Sequence, residues 1–104
     1  MGITRVTTPT NTFKLPENVS DYAKVEITYE QGGLQIIKLY TGSPVSWASI
    51  DGKDISVTLT QEETKQFNNG KASVQVRAKT AGGKVKASAQ WLVDILDTES
   101  ENIL

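Results

Sequence analysis

Apolar and polar residues alternate with a period of two along most of this chain, which is how strands with one wet face read. Thr10 to Leu15 places Phe13 and Leu15 on one side, bracketed by Pro9 and Pro16. Proline cannot donate to a ladder, so this strand is expected at an edge or short. The following PENVSDYA reads as a loop or a single helical turn. Val25, Ile27 and Tyr29 then alternate with Glu26, Thr28 and Glu30. After Gln31-Gly32-Gly33 comes LQIIKLY, another strand. Partners on one face of a hairpin must match in side-chain direction. Placing Ile37 and Leu39 in the core beside Ile27 and Tyr29 requires an odd loop or a bulge, and a three-residue loop with a left-handed Gly supplies it. The other phase buries Ile36 but takes Lys38 inward with it, so the first phase is expected.

TGSP is a turn, Val45 to Ile50 is a short segment holding Trp47, and DGKD carries the Asp-Gly turn signal. Ile55, Val57 and Leu59 alternate again. Val74, Val76 and Ala78 form the next strand. Val85, Ala87, Ala89, Trp91, Val93 and Ile95 are expected to share one face of the last. A two-residue turn at Gly82-Gly83 sets Val76 opposite Ala89 and Val74 opposite Trp91, small residues leaving room for large ones. About six or seven short strands with frequent turns predict an all-β fold, an antiparallel immunoglobulin-like β-sandwich, with a small closed barrel as the alternative. No repeat or linker divides the chain. A single domain over residues 1–104 is expected, with an acidic C-terminal tail from about residue 97.

LTQEETKQF, Leu59 to Phe67, breaks the alternation. Thr60 followed by Glu63 is a capping box, and Gln61, Glu62 and Glu63 suit the positive end of a helix dipole. A short helix near 60–68, about two turns long, is predicted, with Asn68, Asn69 and Gly70 ending it in left-handed geometry. Such a helix is unstable alone. Phe67 is its one large apolar residue, so its expected task is to carry the chain between sheets with Phe67 plugging the core.

Composition narrows the chemistry. The 104 residues carry a net charge of -1, with 22% charged residues. The Lys and Arg residues are scattered, which argues against nucleic acid. No apolar run approaches a membrane span, so no membrane insertion is expected. The start MGITRVTTPT has no apolar signal region, and Val6 stands where a myristoylation motif needs Ser or Thr. The chain has no Cys and no His. That removes disulfides, thiolate catalysis, Cys- or His-based zinc sites and the commonest general base. No catalytic, cofactor or metal residues are assigned. The protein is expected not to be an enzyme and to need no cofactor.

Three groupings remain. Asp94, Asp97, Glu99 and Glu101 could suggest a hard cation, but the ordered spacing and Gly of a calcium loop are missing, so a solvated tail is expected. Trp47, Tyr40 and Tyr22 could form an aromatic platform for a sugar, with Trp47 and Tyr40 as the candidate glycan contacts, although core packing is the commoner use of such residues. Leu92 and Leu96 fall opposite Trp91 in phase, and Ile103 and Leu104 end the chain. These four are the candidate interface residues, either a subunit contact or a strand covered on both sides.

TTPTNTFKLP (Thr7 to Pro16), ITYEQGG (Ile27 to Gly33), LTQEETKQF (Leu59 to Phe67) and GKASVQVR (Gly70 to Arg77) occur in this order. Together they resemble a family of small proteins encoded among the tail genes of phages and prophages of Gram-positive bacteria, some relatives of which are N-terminal domains of upper-baseplate proteins. The resemblance spans roughly residues 3 to 96 and departs after Trp91, in LVDILDTESENIL. It implies a β-sandwich structural or adaptor module of a tail tip or baseplate, acting by protein–protein assembly with other tail proteins and as a homo-oligomer. The implied location is the virion, after synthesis in the bacterial cytoplasm. A carbohydrate- or host-receptor-binding module is the alternative.

Overall fold

The computed structural model describes residues 2–88 and 90–104. Its strands are β1 (Gly2–Thr4), β2 (Thr10–Lys14), β3 (Tyr22–Gln31), β4 (Leu34–Tyr40), β5 (Ala48–Asp51), β6 (Asp54–Thr58), β7 (Gly70–Thr80), β8 (Val85–Ala87) and β9 (Trp91–Leu96). A 3-10 turn (Val19–Asp21) follows β2, and the helix α1 (Gln61–Lys65) joins β6 to β7. The strands form a six-stranded sheet, in order β1-β9-β7-β3-β4 with β8 also beside β7, and a three-stranded sheet, β2-β6-β5. The fold is all-β. The larger sheet is mixed rather than purely antiparallel, because β1 runs parallel to β9.

The period-two pattern sorts as expected along β3 and β7. Val25, Ile27 and Tyr29 are buried with Ala72, Val74, Val76 and Ala78. From the smaller sheet Phe13, Ile55 and Val57 join the same cluster. The two sheets are also tied by polarity: the Tyr29 hydroxyl on β3 donates to Asn11 Oδ1 on β2 at 2.9 Å, inside the core. Burial, and then the negative charge of Glu63, push the Tyr29 phenol well above its ordinary value, so it stays a donor. β2 lies at an edge, as its flanking prolines require.

The β3–β4 hairpin differs from expectation. Gln31 pairs with Leu34, so the loop is only Gly32-Gly33, with φ of 55° and 91°. Two consecutive positive φ angles make the tight turn whose twist matches paired strands. The even loop turns Ile36, Lys38 and Tyr40 inward and leaves Ile37 and Leu39 outside, at 51% and 49% exposure. Inward Lys38 is tolerated because α1 delivers a carboxylate to it. The last hairpin also departs. Thr80 N donates to Lys84 O, so the loop is Ala81-Gly82-Gly83, and Lys79 pairs with Val85. Val85 and Ala87 are therefore outside rather than in phase with Val93 and Ile95. Ser88 interrupts the ladder: its Oγ accepts from Val76 N at 3.0 Å. One residue is absorbed there, and β9 resumes with Val74 opposite Trp91, as the small-against-large pairing predicts. The expected partner Ala89 lies outside the described residues. Trp91 is 38% exposed and tilts against Phe13 of the other sheet at 5.4 Å between ring centroids.

Helix α1 has the predicted capping box and carries the chain from the smaller sheet to the larger, with Phe67 fully buried just beyond it. It is shorter than expected, and Asn68 and Asn69 are not left-handed; Gly70 alone is, at φ 135°. The Gln31 side chain accounts for Asn68. Its Oε1 accepts from Asn68 N at 2.7 Å and its Nε2 donates to Asn68 O at 2.8 Å, holding that backbone for entry into β7.

Candidate functional site

The outer face of the six-stranded sheet is built by the residues that alternate with the core. Registers place them in rows. Leu39, Glu26, Arg77 and Ala87 form one, Ile37, Thr28 and Gln75 the next, and Gln35, Glu30, Ser73 and Leu92 a third. Arg77 donates through Nε and Nη2 to Glu26 Oε1, at 2.9 and 2.7 Å, which pins the centre. Lys71 pairs with Asp94 further along. Between the rows runs an open groove of about 510 Å³, lined chiefly by Glu26, Thr28, Glu30, Gln75 and Arg77 with Ile37 at its side. Around this polar centre stand Ile37, Leu39, Val85, Leu92 and Leu96, all exposed.

Of the expected interface residues, Leu92 and Leu96 lie outward on β9, at 68% and 54% exposure. Ile103 and Leu104 are exposed and belong to no strand, and Leu104 sits against the start of α1. Leu104 N donates to Gln61 Oε1 at 2.8 Å and Gln61 Nε2 donates to Leu104 O at 3.1 Å. The alternation expects Ile37, Leu39 and Val85 in the core, so it carries no signal for their membership of this face. Only the turn geometry decides it.

Glu63 serves two elements at once. Oε1 accepts from Thr60 N at 2.9 Å, completing the capping box, while Oε2 meets Lys38 Nζ at 2.6 Å. Burial pushes its carboxyl up, but Lys38 and the Thr60 N–H outweigh that and hold it below the ordinary glutamate range. Lys38 also stands over the Trp47 ring at 5.7 Å, a cation–π distance. Trp47 and Tyr40 are both half-buried against the core cluster. One face of the indole that a sugar would stack on therefore already carries an ammonium.

Arg5 gathers the chain ends. Its guanidinium donates to Phe67 O (2.5 Å), Lys65 O (2.9 Å), Asp97 Oδ1 (2.6 Å) and Glu101 Oε1 (2.6 Å). It thus serves the C-terminal carbonyls of α1 and clamps the tail. Arg5, then the Thr98 N–H, hold the Asp97 carboxyl below its ordinary value. Three of the four carboxylates expected to be merely solvated are exposed yet paired: Asp97 and Glu101 with Arg5, Asp94 with Lys71. The reason is topological. β1 beside β9 brings a cation from the start of the chain to its end, which spacing in sequence does not reveal.

Among the described residues no three His, Cys, Asp or Glu side chains gather as a metal site needs, and no helix is long and apolar enough to cross a membrane. No protein-family model matches the chain, and no curated protein sequence does.

Proposed function

We propose that the chain is a non-enzymatic structural or adaptor module, a β-sandwich of immunoglobulin-like architecture, that works by assembly in a phage or prophage tail tip or baseplate. The observation that carries the assembly reading is the outer face of the large sheet. Alternation reserves that face for water, yet Ile37, Leu39, Val85, Leu92 and Leu96 stand on it. Scattered exposed apolar residues need no explanation, but several on one sheet face mark a contact surface. The occupant we favour is a second copy of this chain. The five strands abreast hold 37 residues, which at ~3.3 Å rise and ~4.8 Å spacing offer roughly 590 Å², below the ~800 Å² per partner of a standard interface and in the range of a weaker, concentration-dependent contact. The polar centre, pinned by Glu26–Arg77, gives such a contact its register rather than its energy. The tail setting rests on the resemblance of the Thr7–Pro16, Ile27–Gly33, Leu59–Phe67 and Gly70–Arg77 segments to tail-encoded proteins.

Solution mass by light scattering over a range of concentrations tests the assembly. A defined oligomer that Ile37→Asp with Leu92→Asp dissociates, without loss of fold, is the expected result. A monomer at every concentration removes the second copy as occupant. Purified tail particles that lack the chain would remove the virion setting.

A further inference from the structure

Strand β1 is three residues long and lies at the edge of its sheet, yet its Ile3 is fully buried in the core. A large apolar side chain that the core needs is therefore held by a very short ladder. The connection from β1 to β2 passes through Val6, whose φ is 59°. A β-branched residue avoids that region, because its side chain crowds the backbone. Val6 is pinned there from both sides. Arg5, just before it, makes its bonds to Phe67, Lys65, Asp97 and Glu101. Thr7, just after it, is clasped by the buried Thr64, whose Oγ1 accepts from Thr7 N at 3.1 Å and donates to Thr7 O at 2.9 Å.

Strain of this kind persists only where its surroundings over-determine it. The two clasps differ in kind. Arg5 and Ile3 dock as a unit onto β9, its tail and the end of α1. Every one of those contacts can be remade unchanged on another copy of the same surface. If residues 2–5 leave together, Val6 is released into an ordinary conformation while Thr7 stays clasped. We propose that β1, with Arg5, exchanges between two copies of this chain, each strand filling the β9 edge of the other. The socket selects the occupant: an apolar hole sized for Ile3, and two carbonyls and two carboxylates arranged for a guanidinium. The exchange is symmetric and closes on itself as a dimer. Relief of the strained Val6 backbone acts in its favour by between about fivefold and a hundredfold per chain, against the burial of the Val6 side chain in the closed form. This goes beyond the assembly reading and does not depend on the outer sheet face.

The chain has no Cys, so introduced thiols report cleanly. Gly2 is in register with Asp94, and a Cβ on Gly2 would meet nothing closer than Asp94 O at 3.9 Å. A Gly2→Cys chain and a longer, tagged Asp94→Cys chain are refolded together at high concentration and oxidised. The single-chain Gly2→Cys/Asp94→Cys variant establishes that the pair can bond. A Gly2→Cys chain mixed with a Lys86→Cys chain gives the background for exposed thiols. The expected result is a mixed disulfide several-fold above that background. No excess, while the double variant closes within one monomer, overturns the exchange. Val6→Pro is the second variant, since proline holds φ near about −65° and cannot take the closed conformation. It should raise the dimer fraction by tenfold or so; a folded Val6→Pro chain that stays monomeric at every concentration also overturns the proposal. Ile37→Asp with Leu92→Asp should leave the cross-link intact, which separates failure of this idea from failure of the outer-face contact.

Discussion

Replacing Glu63 by Gln tests why Lys38 can face inward. Gln retains the reach to Thr60 N, so the capping box survives and only the charge on the 2.6 Å contact is lost. The two side chains are 14% and 20% exposed. Exposed ion pairs contribute roughly 0–1 kcal/mol, and breaking a fully buried pair costs about 3–5 kcal/mol. This pair lies between the two, so Glu63→Gln should cost about 2 kcal/mol and lower Tm by about 8–16 °C for a domain of this size. Lys38→Met keeps the stem over Trp47 and removes the charge that needs a partner, so it should cost less. The double variant should then be milder than the sum of the singles. Urea unfolding followed by tryptophan fluorescence measures all three, with Trp47 as the local reporter. The pH dependence has a definite sign. Glu63 is held below its ordinary value when folded, so its contribution is present above the unfolded glutamate pKa and is lost as pH falls through the lower, folded one. The gap between wild type and Glu63→Gln should therefore be full at neutral pH and close in acid. A Glu63→Gln chain within about 0.5 kcal/mol of wild type, or a deficit that does not change with pH, would refute the account of Lys38.

Tyr29→Phe keeps the ring and deletes the donor to Asn11, which is 5% exposed, so it should destabilise by about 1–2 kcal/mol in denaturant unfolding. Phe67→Ala empties the plug behind α1 and should cost about 3–5 kcal/mol by the same measurement. Arg5→Lys keeps the charge but loses the fork that spans Phe67, Lys65, Asp97 and Glu101, so residues 97–104 should become cleavable in limited proteolysis while the sheets stay protected. In the wild type, tail protection should fall in acid, because Asp97 is held below its ordinary value and its pairing is lost as pH drops through that lowered value.

Local rules carried much of the fold. Val25, Ile27 and Tyr29 bury as alternation demands, the Thr60–Glu63 box forms, and Phe67 plugs the core. These depend on neighbours within a few residues. Several of the failures have a partner distant in sequence as their cause. Burying Lys38 is costly in isolation, and only Glu63, on another element, reverses that. β1 has no readable pattern in three residues, because its pairing is with β9 at the other end of the chain. Arg5 was one of the scattered cations until that pairing set it beside Asp97 and Glu101. For the outer face, Leu92 and Leu96 were legible from the phase of Trp91, whereas Ile37, Leu39 and Val85 depended on loop lengths that paired glycines leave ambiguous.

The β3–β4 hairpin has a kinetic consequence. Sliding β4 by one residue would exchange Leu34, Ile36, Lys38 and Tyr40 for Gln35, Ile37 and Leu39 on the inner face, replacing a buried amine by an amide while still burying two large apolar side chains. A competing register is thus written into the same seven residues, a local conflict of the kind that slows folding. Glu63 settles it, since only the native register presents an amine where the cap carboxylate can meet it. Helix α1, too short to persist by itself, acts as a proofreader of a strand pairing made more than twenty residues earlier in the chain.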